Sequence, residues 1–305
     1  MIWLLRALRM LCELLPTSWS RCAGMALGDG VRVLGIRRRV VARNMHLALG
    51  LEPGSAAQRR LLRDSYRHMG ESAIEFMRMR RLIRCGGLAS MLQWYGEEHL
   101  HGPWQGGQVL LTAHQGNFTL FSAAAALRGY PVTVVIKRVR NQSIEQFWLE
   151  QLEHSGLKIL GNRDSMGDIL RVLRRDEMLG FVYDQHDSRE GVWVDFMGHV
   201  ATAFRAVPIL AGRSPRPVVP VYITRLPNGQ HRIDCCPPIA CSQRDGESAE
   251  DYQARCAQAY TDSIAAAVRR CPAQWMWLHN RWRPYSGKGL VSERAQRLIE
   301  QAEGT

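Results

Sequence analysis

Lysine, paired cysteines and long apolar stretches are all scarce in this chain of 305 residues. Only three of the 40 Lys and Arg residues are lysines (Lys137, Lys158 and Lys288), so arginine carries nearly all the positive charge. The eight cysteines include no pair of Cys-x-x-Cys units, the spacing typical of zinc sites. We therefore expect reduced thiols, no metal site and no bound cofactor.

The motifs of two further functional classes are also absent. The sequence has no Gly-x-Ser-x-Gly motif, which argues against a serine hydrolase of the α/β-hydrolase type. The net charge of +12 suits an anionic partner, but no zinc-finger spacing, RNP-like aromatic motif or helix-turn-helix signal accompanies it. We therefore expect no nucleic-acid binding and favour a phosphate-bearing or membrane partner, with ordinary solvated surface charge as the alternative.

The composition is that of a folded protein. Hydrophobic residues make up 46% of the chain and charged residues 22%, which excludes a largely disordered chain. The length permits one large α/β domain or two smaller ones, and we favour one. We expect a membrane-associating segment at residues 1–30, a single α/β domain at 31–290 and a tail at 291–305, with flexible segments at 243–248 and after residue 286.

The first 15 residues (MIWLLRALRMLCELL) have an amphipathic pattern. A helix of this length is about 22 Å long, shorter than the roughly 30 Å hydrocarbon core of a bilayer, so it should not span one. Arg6, Arg9 and Glu13 fall in one narrow sector of the helix, and apolar side chains occupy the rest. The pattern predicts a helix lying in the headgroup plane of a membrane, with packing on the protein's own core as the alternative.

Basic residues are concentrated just after this helix. Residues 32–84 contain 13 arginines against four acids. A basic cluster beside an apolar helix gains about 1 kcal/mol per residue near an anionic leaflet. We expect Arg37, Arg38, Arg39 and Arg43 to contact an anionic membrane surface or the phosphates of a ligand.

The rest of the chain alternates short apolar runs with helical patterns. Up to about residue 93 the pattern is helical, with no strand signal. Beyond it, strands are expected at 108–112, 131–136, 157–160, 179–183, 217–222 and 232–236, and helices at 118–127, 144–152, 164–175 and 250–270. This alternation predicts an α/β fold with a mostly parallel central sheet covered by helices on both faces and a helical amino-terminal region.

Two residues with catalytic chemistry follow predicted strands. His114 comes after the first strand and Asp184 after another, and the carboxyl ends of parallel strands gather where α/β proteins bind ligands. Gly116 and Asn117 predict a tight turn that would fix the direction of the imidazole. Imidazole titrates near neutral pH, so His114 suits a general base, with a hydrogen-bonded structural histidine as the alternative.

The residues around His114 resemble a known family. His114-Gln115-Gly116-Asn117-Phe118 is similar to the His-x-Gly-Asn-aromatic core of the late acyltransferases that add secondary acyl chains to lipid A, relatives of the glycerolipid acyltransferases. Further segments resemble that family in the expected order. They are residues 37–44 (RRRVVARN), Asp184-Gln185, residues 196–198 with 201–202, residues 217–221 and residues 274–282 (QWMWLHNRW).

The resemblance implies an acyltransferase, peripheral or monotopic, on the cytoplasmic face of a bacterial inner membrane. It would move a fatty acyl chain from acyl carrier protein, or from acyl-CoA, to a hydroxyl or amine of a lipid or glycolipid, with His114 as general base. The residues that would contact substrate are Gly116, Asn117, Phe118, Asp184, Gln185 and Arg281. Asn117 is equally explained as a turn residue, and Arg281 as the partner of a surface acid.

Thr119 departs from the pattern of that family, which places Asp or Glu five residues after the histidine. A carboxylate there would orient the imidazole and stabilise the imidazolium, and threonine can do only the first. Three explanations stay open. A carboxylate from elsewhere takes over, with Asp184 and Glu75 as candidates; the acceptor is less demanding; or the chain is a catalytically impaired homologue that binds acyl lipids or acyl carrier protein without turnover.

Overall fold

A computed structural model describes residues 1–100, 107–136, 141–161, 166–187, 191–213 and 217–303. The helices are α1 (Ile2–Leu14), α2 (Thr17–Val33), α3 (Arg38–Leu49), α4 (Ala56–Arg84), α5 (Gly87–Ser90), α6 (Phe118–Leu127), α7 (Gln142–Glu153), α8 (Met166–Arg174), α9 (Ala206–Arg213), α10 (Ala249–Arg270) and α11 (Glu293–Glu303). The strands are β1 (Leu92–Tyr95), β2 (Val109–Thr112), β3 (Val132–Ile136), β4 (Lys158–Gly161), β5 (Met178–Val182), β6 (Val192–Phe196), β7 (His199–Ala203), β8 (Val218–Arg225), β9 (His231–Cys235) and β10 (Leu290–Val291).

Within the described residues, the central sheet has seven strands in the order β1-β9-β8-β2-β5-β3-β4. The strands from β8 to β4 in that order are parallel, β9 is antiparallel to β8, and β1 is parallel to β9. Parallel neighbours need crossover connections, and α6, α7 and α8 supply them between β2 and β5. The predicted fold class is confirmed, as are the six predicted strands. The predicted helix at 164–175 begins outside the described residues.

Alternate side chains of β2 enter two cores, one on each face of the sheet. Val109 and Leu111 pack in the core that includes α3, α8 and α10, and Leu110 packs in the core that includes α4 and α6. Every residue of β2 is buried, as expected for a strand at the centre of a parallel sheet. Burying one such side chain stabilises the fold by about 1.5–3 kcal/mol.

Glycines let α2 and α4 cross at close range. A Cβ on Gly28 would collide with the carbonyl group of Tyr66, and a Cβ on Gly70 would collide with that of Gly24. Without side chains between them the two backbones touch, which fixes α4 against the amino-terminal helices. At its start α4 is capped by Ser55, whose hydroxyl accepts a hydrogen bond from the amide of Gln58.

The first helix, α1, docks through its polar side. Arg6 forms an ion pair with Glu150 of α7 at 2.5 Å, and Arg84 of α4 approaches Glu13 at 3.4 Å. The apolar side is open, and Trp3 and Leu14 are each 75% exposed. A helix on the surface of a globular protein normally buries its apolar side, so α1 is inverted. None of the helices in the described ranges combines the length and apolar character needed to traverse a bilayer.

A second sheet, in the order β10-β6-β7, is absent from the sequence prediction. β6 and β7 form an antiparallel hairpin whose turn places Met197 at φ 59° and Gly198 at φ 86°. Two positive φ values are typical of a type I′ turn, which Asn-Gly signals strongly and Met-Gly does not. Residues 196–202, which include the segment that resembles the late acyltransferases, therefore lie in an ordered hairpin.

The segment after Ser286 is also more ordered than expected. The sequence predicts a flexible tail, whereas the structure has β10 and α11. Ala295 and Ile299 of α11 are buried, and Arg294 forms ion pairs with Asp195 at 2.5 Å and Asp262 at 2.9 Å. The prediction of a flexible tail was wrong, because Ala295, Leu298, Ile299 and Ala302 follow the spacing of an amphipathic helix.

Candidate active site

His114 and Asp184 meet at the carboxyl ends of the neighbouring parallel strands β2 and β5. His114 Nδ1 lies 2.7 Å from Asp184 Oδ1, and the backbone amide of His114 donates to Asp184 Oδ2 at 2.9 Å. The two residues are 70 positions apart in the chain, and the register that pairs Thr112 with Val182 brings them together. This is the arrangement that the two strand ends predict.

Asp184 is held as a buried carboxylate. Its side chain is 3% exposed, and Oδ2 also accepts from Trp275 Nε1 at 2.7 Å. Burial opposes ionisation most strongly, but the His114 imidazole and the hydrogen bonds from His114 and Trp275 outweigh it and lower the pKa of Asp184. An ionised Asp184 accepts a hydrogen bond from Nδ1–H of His114, so the lone pair of the imidazole lies on Nε2.

The turn after His114 is fixed by the segment that precedes Trp277. The amide of Gly116 donates to the Gln274 carbonyl at 2.8 Å, and the amide of Met276 donates to the His114 carbonyl at 2.9 Å. Gly116 has φ 58°, and a Cβ there would collide with the carbonyl of Ile223 in β8. Only glycine combines this backbone conformation with so close an approach.

The His114 imidazole contacts two side chains that the resemblance identifies as substrate contacts. Gln185 Nε2 lies 3.2 Å from it, and the Phe118 ring meets the imidazole edge-on with 4.8 Å between centroids. The His114 side chain is 16% exposed. The side chain is therefore partly open, with the Gln185 amide next to Nε2.

A cavity of about 300 Å³ opens beside His114. Gly116, Asn117, Phe118 and Thr119 line it together with residues of α4, α7 and the 274–276 segment. Its apolar surface comes from Met69, Ala73, Phe76, Phe118, Trp148, Trp275 and Met276. Its size is at the lower end of the range for small-molecule sites, and its lining suits a hydrocarbon chain more than a polar metabolite.

Asn117 and Thr119, which line the cavity, also belong to a second set of contacts that reaches Glu75. Thr119 Oγ1 donates to Asn117 Oδ1 at 2.6 Å, and Asn117 Nδ2 donates to Glu75 Oε2 at 2.8 Å. Arg225 pairs with both oxygens of Glu75, and His231 Nε2 lies 3.3 Å from one of them. Burial is the largest effect on Glu75, but hydrogen bonds from His231 and Arg225 overcome it and lower its pKa.

Comparison with known proteins shows the family of this chain. The family described as bacterial lipid A biosynthesis acyltransferase matches residues 1–284. The chain belongs to the bacterial lipid A biosynthesis acyltransferase family. Phosphatidylinositol mannoside acyltransferases of two Mycobacterium tuberculosis strains, CDC 1551 / Oshkosh and ATCC 25618 / H37Rv, are each 24% identical over 180 residues. These matches cover 58% of this chain and 54% of each relative, so the chain spans about half the length of the curated relatives it matches.

In this member of the acyltransferase family, the carboxylate that contacts the imidazole is that of Asp184, one of the two candidates that the sequence offers. Thr119 stands where a carboxylate is expected and contacts Asn117, while Asp184 contacts the imidazole. Glu75, the other carboxylate that the sequence offers, contacts Asn117 instead. The structure thus brings His114, Asp184 and Gln185 together, with Phe118 against the imidazole and Thr119 one contact away.

The predicted arginines occupy two kinds of position. Arg37, Arg38, Arg39 and Arg43 are exposed around α3, and Arg43 also donates to the Trp282 carbonyl at 3.3 Å. Arg281 is 1% exposed and donates to the carbonyls of Gln185 and Thr202. It therefore ties together the loop after β5 and the hairpin strand β7, and the geometry gives it no open side for the expected substrate phosphate.

Several contacts of the site carry no signal in the sequence. Trp275 is the third donor to Asp184, and Glu75 with Arg225 holds Asn117, but these contacts join segments more than 40 residues apart. The run of tryptophans around Trp275 is visible in the sequence, but it does not reveal that Trp275 contacts Asp184. Within the described residues, no group of three or more His, Cys, Asp and Glu side chains is placed to hold a metal ion.

Proposed function

We propose that this chain transfers a fatty acyl chain from an acyl thioester, carried by acyl carrier protein or coenzyme A, to a hydroxyl or amine of a lipid or glycolipid. The observation that carries the proposal is that His114, which is hydrogen-bonded to Asp184, lies in the wall of a largely apolar cavity. Membership of an acyltransferase family supports the same chemistry.

His114 is the general base of the proposed reaction. Asp184 holds the proton on Nδ1, so Nε2 accepts the proton of the acceptor's hydroxyl or amine after that group displaces Gln185. The acceptor atom forms its bond to the thioester carbonyl carbon as the proton moves to Nε2. When the carbon–sulfur bond breaks, His114 returns the proton to the departing thiolate. Asp184 stabilises the imidazolium between these steps.

The start of α6 supplies donors for the negative charge that develops on the carbonyl oxygen. Among the described residues, the backbone amides of Phe118 and Thr119 donate to no protein acceptor, and both residues line the cavity beside His114. Free amides at a helix amino terminus stabilise an anion through hydrogen bonds and the helix dipole. We therefore assign them to the oxyanion site.

The acyl chain lies in the cavity in this proposal. Met69, Phe76 and Trp148 present apolar side chains to it from α4 and α7. Placing the hydrocarbon there removes apolar surface from water, at about 25 cal/mol per Å². Sequestering the thioester end from water also favours transfer over hydrolysis.

The inverted helix α1 and the exposed arginines of α3 supply the membrane contact. Apolar side chains of α1, of the start of α2 and of the α2–α3 corner are exposed. The most exposed are Trp3, Leu4, Leu11, Leu14, Trp19, Val33 and Leu34. Arg37, Arg38 and Arg39 are exposed beside that corner, and an apolar wedge with basic residues at its edge binds an anionic leaflet. We place the chain on the cytoplasmic face of the inner membrane, where lipid acceptor and acyl thioester meet.

A binding protein without turnover is the alternative that Thr119 raises. The contact between Asp184 and His114 favours turnover, because it supplies the charge that threonine cannot. The test is acyl transfer from acyl carrier protein to lipid acceptors by the purified protein, comparing wild type with His114→Ala. The matched control is His154→Ala, at an exposed position on the helix end of α7.

We expect loss of transfer in His114→Ala and wild-type transfer in His154→Ala. Lipid binding should survive in both variants, because the cavity keeps its apolar lining. Equal transfer by wild type and His114→Ala would remove His114 as the base. Binding of acyl carrier protein or lipid without any product from wild type would establish the alternative.

A further inference from the structure

Asn117 precedes α6 but does not cap it. Asparagine is among the strongest helix caps, because its side-chain oxygen accepts a hydrogen bond from an amide of the first turn. Here Asn117 makes no side-chain cap and its backbone has φ −99° and ψ 75°. The third amide of the helix, that of Leu120, is satisfied by the Asn117 main-chain carbonyl at 3.0 Å, and the first two amides are left free.

Both ends of the Asn117 carboxamide are engaged elsewhere. Oδ1 accepts from the Thr119 hydroxyl at 2.6 Å. Nδ2 donates to Glu75 Oε2 at 2.8 Å and approaches the Ser72 carbonyl at 3.4 Å. The side chain is 2% exposed, so water has little access to compensate for a rotation. The oxygen that would cap α6 is therefore held by the Thr119 hydroxyl, and the amide group is anchored to α4.

Glu75 belongs to a costly buried charge cluster that the proposed reaction does not otherwise use. The residue is 9% exposed, Arg225 is 8% exposed and His231 is fully buried. Burying an ion pair generally gives little net stability, since desolvation offsets the attraction. A role in holding Asn117 gives this cluster a purpose beyond stability.

We propose that Glu75 and Thr119 are positioning residues that hold the Asn117 carboxamide away from the start of α6 and so keep the amides of Phe118 and Thr119 free for the oxyanion. This inference rests on the proposed function. It gives Thr119 a task that an ionised acid could not perform, because a carboxylate has no proton to donate to Asn117 Oδ1. Thr119 then has a role of its own, the positioning of Asn117, and does not replace a catalytic acid.

The direct test is Thr119→Val, which removes the hydroxyl and keeps the shape, with Thr119→Ser as the variant that retains the donor. Freed from Thr119, Asn117 Oδ1 can rotate to cap α6 and take up an oxyanion donor. We expect kcat to fall by about 10- to 100-fold in Thr119→Val, below the full loss of one donor. KM should change by less than about twofold, because valine keeps the shape that Thr119 presents to the cavity. Thr119→Ser should restore kcat.

The pH profile of kcat separates this role from a direct action on the base. If Thr119 acts only through Asn117, Thr119→Val lowers the plateau and leaves the midpoint of the profile in place. A shift of the midpoint would show that Thr119 orients His114, and would overturn the inference. So would an increase of activity in Thr119→Asp, which we expect to be less active than wild type because the donor to Asn117 Oδ1 is lost.

Glu75→Gln is the second variant, measured together with its thermal unfolding. If Glu75→Gln is folded at the assay temperature, we expect the same effect as in Thr119→Val, a lowered kcat with an unchanged KM. An unfolded Glu75→Gln leaves the Thr119 variants as the deciding measurement. A wild type that transfers no acyl chain removes the proposed function, whereas an active wild type with equally active Thr119→Val removes only this inference.

Discussion

Asp184 accepts hydrogen bonds from Nδ1 and from the backbone amide of His114. A third hydrogen bond, from Trp275, fixes the carboxylate in place. Replacement by asparagine keeps the shape but offers either a weaker acceptor or an amide donor to Nδ1, which disfavours the productive tautomer. In the Ser-His-Asp triad of serine proteases, the equivalent change of Asp to Asn lowers turnover by about 10⁴-fold.

We expect Asp184→Asn to lower kcat by roughly 10³-fold or more, with a small change in KM. The matched control is Asp176→Asn, at an exposed turn with φ 58°, a conformation that asparagine accepts readily. Steady-state kinetics of both variants checks this. Comparable kcat values in the two would mean that the Asp184 contact has no part in the reaction.

The cavity lining should set the preferred acyl chain length. Ala73 is exposed at the cavity and has room to grow, and Phe76, one turn further along α4, occupies volume that alanine would release. We expect Ala73→Leu to shift the preference toward shorter chains and Phe76→Ala toward longer ones. Competition between acyl donors of different length, read by mass spectrometry of the lipid products, measures both. Equal loss for every chain length would show a structural effect and place the chain elsewhere.

At the scale of elements, α1 is the part whose orientation the structure decides. Its polar sector, correctly identified from the sequence, faces α4 and α7 through Glu13 and Arg6. Sequence alone cannot choose between an apolar side turned inward or outward, since both satisfy the same periodicity. The choice follows from ion pairs with residues more than 70 positions away.

We expect Trp3→Glu with Leu14→Glu to abolish flotation of the protein with anionic liposomes at physiological salt. These side chains contact no core, so thermal unfolding should change little, and the control is Arg9→Gln on the polar side. Retained flotation of the double variant would remove α1 as the membrane contact. Retention on DNA in place of liposomes would contradict the expected absence of nucleic-acid binding.

The elements that the sequence predicts correctly have a recognisable apolar pattern, either a continuous run for a buried strand or helical spacing for a helix. β2, β5 and β8 are continuous apolar runs bounded by turn residues, and their pairing brings His114 to Asp184. β1 is a four-residue edge strand, too short for a clear period. The hairpin turn at Met197 and the two-residue strand β10 likewise give no local signal.

At the scale of the whole molecule, buried histidines make stability depend on pH. Burial, the largest effect, and nearby Arg225 lower the pKa of His68 from 6.5 to about 4. Burial and Arg281 lower the pKa of His279 to about 4. Below pH 6.5 the unfolded chain binds protons that the folded chain does not, so stability is lost as the pH falls from 6.5 toward 4.

The lowered pKa values of Glu75 and Asp184 add a second loss of stability as the pH falls. Their contribution is present above the ordinary carboxyl pKa and is lost as the pH falls below it. We expect urea unfolding to show stability declining from pH 6.5 toward 4, then more steeply below about 4.5. His68→Gln should flatten the first step and leave the second. Stability that is constant or rises between pH 6.5 and 4.5 would contradict this account.

The most direct test of the proposed function replaces His114 with Ala at the native chromosomal locus. Lipids from that strain are then compared by mass spectrometry with those of the wild type and of a strain lacking the protein. We expect the acylated lipid that disappears in the deletion strain to be absent also in the His114→Ala strain, with the variant protein present at the membrane at the wild-type level. A lipid profile that is lost on deletion but intact in His114→Ala would contradict a catalytic role for this imidazole.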